Sequence, residues 1–253
     1  MHPKRTLHSE RNKMRFASLF ITLSVLFAPL AHAACLYGEA FWDKQDYKRA
    51  EDYYKECAKN NDSVALYKLG LIYKNGYIEN KKDVVKGLAF LRFSAENGYA
   101  PAQRELGVAL LELNQSDVGR KTVAEYQGNI QATSGNSKIL GNTKKTDISP
   151  YAWILLAAEK AENKWYYPSG AFSDDDAVQI IQQSRMDRNT KKTATAEAGS
   201  WKMKKLRSTA KEILSADEYR AFETAVFSQQ ADPATRASAM GYLKQKIETE
   251  RNE

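Results

Sequence analysis

Apolar residues recur along this chain at three- and four-residue spacing in one stretch after another, the period of an amphipathic helix. Leu66, Leu69 and Tyr73 mark one stripe, and Leu88, Leu91 and Ala95 mark the next. The stripes are related to one another. At an offset of 37 residues, Asp46 falls on Asp83, Ala58 on Ala95, Asn60 on Asn97, Ala65 on Ala102, Leu69 on Leu106 and Gly70 on Gly107. Small residues therefore return where two helices of a hairpin must approach closely, and aromatics return where neighbouring hairpins leave a groove. The pattern predicts an all-α stack of helix–turn–helix units, none able to bury its apolar face alone.

The residues that carry this period resemble a known family. Ala65-x-x-x-Leu69-Gly70-x-x-Tyr73-x-x-Gly76, then Asp83, Lys86-Gly87, Ala95, Gly98 and Ala102, is similar to one Sel1-like repeat. Such repeats are relatives of tetratricopeptide repeats with a longer loop inside each unit. The preceding segment resembles the shorter tetratricopeptide form, with Gly38, Phe41, Tyr47, Ala50, Tyr54 and Cys57 at its signature positions. Further on, residues 151–159 resemble the second helix of a Sel1-like unit. Ala152, Trp153, Ala158 and Glu159 fall on Ala89, Phe90, Ala95 and Glu96 at an offset of 63, which is 26 more than one repeat. A third unit therefore has its two helices parted by an insertion within 114–149. That unit departs from the pattern: Leu110 and Leu113 stand where Tyr73 and Gly76 would recur, and Pro150 replaces Gly87. The resemblance covers about 34–161 and implies a short right-handed α-solenoid.

Residues 114–149 hold four glycines, many Asn, Ser, Thr and Lys, and Tyr126 as their one aromatic. They predict a mobile loop with a short helix near Thr122–Gln127, serving either as a binding element or as a tolerated insertion. Residues 162–253 predict a helical extension without the period. Asp174-Asp175-Asp176 opens an apolar run through Val178, Ile180 and Ile181; three carboxylates suggest a metal site, but at a helix start they satisfy free N–H groups. A longer helix is expected from about Ala194 to Leu214. Ser215-x-x-Glu218 then forms a capping box, and Asp232-Pro233 opens a last helix running to about Glu250.

The amino-terminal 33 residues predict a signal peptide. A basic stretch ends at Arg15, an apolar run spans Phe16–Leu30, and Ala31-His32-Ala33 places small residues before a cleavage site after Ala33. An uncleaved membrane anchor is the alternative, although Pro29 and the run's length fall short of the ~20 residues a span needs. A lipoprotein anchored at Cys35 would need an aliphatic residue where His32 stands. Export sets the reading of Cys35 and Cys57, the two cysteines of the chain: a structural disulfide fits an oxidising compartment, and a reactive thiol would have no histidine to activate it.

Charge and histidine follow the leader. The formal charge is +7, but residues 1–33 hold five bases against one acid, along with His2, His8 and His32. The remaining 220 residues carry +3 and no histidine. Nucleic-acid binding thereby loses its main compositional support, and most zinc and Ser–His or Cys–His chemistry is excluded. The basic character concentrates in 185–211, where nine bases face two acids. Either that helix face is simply solvated, or it touches anionic lipid, cell-wall polymer or an acidic partner.

The resemblance implies a function by surface. Solenoids of this kind bind partners on a concave wall lined by the first helix of each unit, here Glu39, Trp42, Asp43, Tyr67, Leu71, Lys74, Asn75, Arg104, Val108 and Glu112. An aromatic, both charge signs and an amide suit a protein or peptide in the cell envelope. Trp42 and Tyr67 are alternatively readable as packing between hairpins. Nothing calls for a metal or a cofactor. A periplasmic or secreted, non-enzymatic adaptor is the leading expectation. An envelope enzyme is the second, because Ser208-x-x-Lys211 matches the first element of penicillin-interacting serine enzymes, yet the companion Ser-Asp-Asn and Lys-Thr-Gly strings are missing. A purely structural, oligomerising unit, its groove filled by a neighbour or by its own tail, is the third.

Overall fold

The computed structural model describes residues 35–133, 148–164, 166–167, 174–184 and 186–252. The expected leader and its cleavage site lie outside them, as do 134–147 of the insertion and Arg185 of the basic segment. Every regular element among the described residues is helical, and none of those helices is long and apolar enough to cross a membrane. Contacts divide the chain into two units, one ending at Asn60 and one beginning at Asn61.

The first unit is a hairpin of α1 (residues 35–43) and α2 (Tyr47–Ala58). The chain reverses at Gln45, which takes up a positive φ of 58°, and Asp46 caps α2 by accepting the Arg49 N–H at 3.2 Å. Ala50, Tyr54 and Cys57 bury one face of α2. Cys35 and Cys57 form the expected disulfide, tying the start of α1 to the end of α2 across 22 residues. Within the same hairpin Phe41 and Tyr53 stack at 5.4 Å, with the Arg49 guanidinium 4.4 Å from the Phe41 ring centroid.

The second unit begins with α3 (Ser63–Asn75), α4 (Val84–Glu96) and α5 (Ala100–Leu113). Their starts follow from the sequence. Asp62 accepts the Ala65 N–H at 2.7 Å, Asp83 accepts the Lys86 N–H at 2.9 Å, and Pro101 occupies the first turn of α5, where an N–H is dispensable. Gly76 (φ 71°) ends α3 ahead of a longer connection to α4, and Gly98 (φ 90°) makes the tight reversal between α4 and α5. Gly98 has a second reason to lack a side chain: a Cβ there would land on the ring of Tyr167.

The insertion is more regular than expected. Its short helix is one part of α6, which runs Asp117–Thr133. Ser116 Oγ accepts the Gly119 N–H at 3.0 Å to start it, and buried Val123 and Tyr126 pack it into the core beside α4 and α5. Two well-placed apolar residues thus override the polar composition of the segment.

After Ile148 the chain forms α7 (Pro150–Ala157), a 3₁₀ turn (Ala161–Lys164), α8 (Asp175–Gln183), α9 (Arg188–Ile213), α10 (Ala216–Phe227) and α11 (Pro233–Asn252). The three expected starts are found. Asp174 caps α8, Ser215 and Glu218 make a reciprocal capping box, and Asp232 accepts from the Ala234 and Thr235 N–H groups. The basic helix α9 starts earlier than the expected Ala194, because Asp187 accepts from both the Asn189 and Thr190 N–H groups. One core joins α4, α5, α6, α7 and α9 around Leu91, Leu106 and the Trp153–Trp201 pair. A second core holds Tyr166 and Tyr167 against α9, α10 and α11 through Leu206, Phe222, Leu243 and Ile247.

Candidate functional site

The ten expected wall residues divide between the two units. In the first, Trp42 packs edge-on against Tyr47 and Tyr54, and Glu39 accepts the Tyr54 hydroxyl at 2.9 Å, while Asp43 is exposed. Trp42 therefore contributes to the packing of its own hairpin.

In the second unit, α3 and α5 bring Tyr67, Leu71, Lys74, Arg104 and Val108 to one region. Lys74 reaches across from α3 to Glu105 of α5 at 2.7 Å. Tyr67 meets Tyr99 edge-on, with ring centroids 5.3 Å apart. Burial, reinforced by the negative charge of Glu105, raises the Tyr67 pKa to about 12, so its hydroxyl stays protonated as a donor. Asn75 donates to the Tyr77 hydroxyl at 2.9 Å, and Glu112 is exposed at the far end of α5. The face is half-buried and mixed: an aromatic, aliphatic Leu71, and ion pairs of both polarities.

Arg104 and Val108 have an occupant from their own chain. The Arg104 Nε lies 3.0 Å from both carboxylate oxygens of Asp174, the residue that caps α8. Burial opposes the guanidinium charge, but Asp174 outweighs it and the pKa of Arg104 is raised. Val108 and Leu111 pack in one apolar cluster with Ile154, Ala177, Ile180 and Ile181. So α8 covers the α5 end of the wall with its apolar side, leaving Asp175, Asp176, Gln179, Gln182 and Gln183 outward. The acidic triplet caps a helix and neutralises an arginine. Among the described residues there is no cluster of His, Cys, Asp and Glu able to hold a metal ion.

Beneath this face lies a buried polar cluster without a local sequence signal. Lys164, 0% exposed, donates to Gln103 Oε1 at 3.2 Å and to the Ala157 carbonyl at the end of α7 at 3.3 Å. Gln103 in turn donates to the Ala95 carbonyl at 3.0 Å and approaches the Tyr167 hydroxyl at 3.4 Å. Burial lowers the Lys164 pKa to about 8, partly countered by Glu159 and Asp174. Its place at a helix C-terminus suits a cation, and its enclosure suits a structural role.

The basic helix is only partly solvated. Lys202 pairs with Glu159 at 2.6 Å, and Arg207 lies 3.4 Å from Glu223 and 4.1 Å from the Phe227 ring centroid. Arg188, Lys191, Lys192, Lys204 and Lys211 are exposed. Ser208 donates to Glu212 rather than to Lys211, at 3.5 Å, so the Ser-x-x-Lys string forms no nucleophile–base pair.

No protein-family model matches this chain, and no solved structure matches it. A curated relative, an F-box protein of Arabidopsis thaliana, is 32% identical over 73 residues. The match spans 29% of this chain and 20% of the plant protein, so most of each lies outside it.

Proposed function

We propose that this chain is an exported Sel1-like repeat protein whose short right-handed solenoid binds a protein or peptide partner in the cell envelope. One packing relationship supports the repeat reading best. A Cβ on Gly70 of α3 would approach Leu91 of α4 at 2.7 Å, and a Cβ on Gly107 of α5 would approach Ile154 of α7 at 2.6 Å. Gly107 follows Gly70 by the 37-residue period, and Ile154 follows Leu91 by the 63-residue offset. The same small residue thus seats the same apolar partner in two hairpins, with α6 inserted into the second. The disulfide and the leader pattern support export to a periplasmic or secreted location.

The binding role rests on the α3–α5 face. Tyr67, Leu71 and the Lys74–Glu105 pair offer a donor, an aliphatic contact and both charges on helices held by a rigid core. A second reading rests on α8: its seat over Arg104 and Val108 favours a structural unit whose wall is filled by its own tail. Affinity capture from the native envelope fraction, with wild type, Leu71→Asp and Lys74→Glu, separates these readings. A stoichiometric partner lost by both variants supports the adaptor. Capture of the chain itself alone supports the structural unit, and hydrolysis of peptidoglycan or a β-lactam by the purified protein would overturn the non-enzymatic assignment.

A further inference from the structure

A separate cavity of about 260 Å³ opens where α4, α5, α6, α7 and α9 converge. Leu110, Val123 and Trp153 give it an apolar wall, and Asn114, Gln127 and Tyr126 give it polar edges. Two charged residues border it, and they differ in kind. Arg92, 2% exposed, is already matched, because its Nε donates to Glu96 Oε1 at 2.7 Å. Burial opposes its charge, yet Tyr126 and Glu96 outweigh burial and keep it protonated. Glu197 of α9 is not matched. Its Oε2 accepts the Ser149 N–H at 2.8 Å, and no Lys or Arg among the described residues pairs with it.

A half-withdrawn carboxylate is stabilised by a cation, and here the fold supplies space instead of one. We propose that the cavity binds a small primary alkylammonium, with its –NH₃⁺ group on Glu197 and its chain against Trp153, Val123 and Leu110. The amide oxygens of Asn114 and Gln127 are suitable acceptors for the remaining ammonium protons. Anions are disfavoured because the Arg92 charge is already engaged by Glu96 from outside the lining, which leaves Glu197 as the charge at the border without an opposite partner among the described residues. At roughly 30 Å³ per water-sized group, the space suits a ligand of about five to nine non-hydrogen atoms. The site draws on five helices of the second unit and is independent of the α3–α5 face.

The probe is n-butylammonium chloride, titrated into the purified oxidised protein and followed by tryptophan fluorescence and amide NMR shifts. Trp153 borders the cavity, and the Trp201 ring centroid lies 5.0 Å from that of Trp153, so both rings report occupancy. Saturable binding with a dissociation constant of about 1 mM is expected for so small a ligand. Butyrate and 1-butanol, of similar size, should not saturate. Glu197→Gln keeps an oxygen for the Ser149 N–H and removes the charge, and should weaken binding by about tenfold or more. The comparison of three ligands on the wild-type protein does not depend on that variant folding. Absence of saturation by n-butylammonium, equal binding of butyrate, or unchanged affinity in a folded Glu197→Gln protein would each overturn the proposal.

Discussion

Arg104 on α5 and Asp174 at the start of α8, 70 residues apart in sequence, meet through one guanidinium N–H placed 3.0 Å from each carboxylate oxygen. Asp174 simultaneously accepts the Ala177 N–H at 2.9 Å, so a single buried side chain starts a helix and anchors it. Asp174→Ala should therefore cost about 2–3 kcal/mol, more than the ~1 kcal/mol of an isolated cap. Arg104→Met should destabilise as well, since it strands the carboxylate. A double-mutant cycle read by urea denaturation checks the coupling: about 1–3 kcal/mol is expected, and additive losses would mean the pair contributes nothing beyond its parts.

Lys164 makes stability depend on alkaline pH. Its pKa is depressed on folding from 10.5 to about 8, so below that value the folded state holds a buried charge that the unfolded chain keeps in water. The unfolded state binds more protons between about pH 8 and 10.5, and stability should rise with pH across that window, by up to about 3 kcal/mol from this group. Urea melts at successive pH values should show the rise in the wild type and a flattened profile in Lys164→Met.

Two glycine substitutions should have opposite signs. Gly98→Ala meets both a φ of 90° and the Tyr167 ring, and should cost at least about 2 kcal/mol. Gly128→Ala lies on the exposed side of α6 with nothing within 4 Å of the new Cβ, and should stabilise by about 1 kcal/mol. Thermal melts of the pair report whether each helix is seated as described.

The disulfide has a chemical readout. Denatured, unreduced protein should give no thiol adduct, because Cys35 and Cys57 are joined. Reduction, or Cys57→Ser, should destabilise the first hairpin by about 3 kcal/mol in the chain-entropy account. Loss should concentrate in α1 and α2, read as faster amide exchange there than in the second unit.

What the sequence disclosed was whatever is encoded locally. The starts of α8, α10 and α11 were visible because Asp174, Ser215 and Asp232 each bond to N–H groups two or three residues away. The apolar stripes at three- and four-residue spacing disclosed helices for the same reason: Leu66, Leu69 and Leu88, Leu91 each mark the buried face of their own helix. The α6 helix was understated because only Val123 and Tyr126 among its polar residues carry the packing. Tertiary partners were not visible at all. Nothing in a stretch of charged residues marks Arg104 for Asp174, Lys164 for enclosure, or Glu197 for a cavity, since those pairings span dozens of residues and exist only once helices dock.

Gly98 also bears on the order in which the molecule can be completed. The notch above it is occupied by Tyr167, which also meets Gln103 from 64 residues away, and the Tyr167 carbonyl in turn accepts from Arg251, 84 residues further on. During synthesis the α4–α5 turn keeps an open socket until Tyr167, well over sixty residues later in the chain, has emerged. The early hairpins can form as they emerge, but the notch between them is filled only by a segment made later, so the α4–α5 turn passes through an interval in which its packing is incomplete.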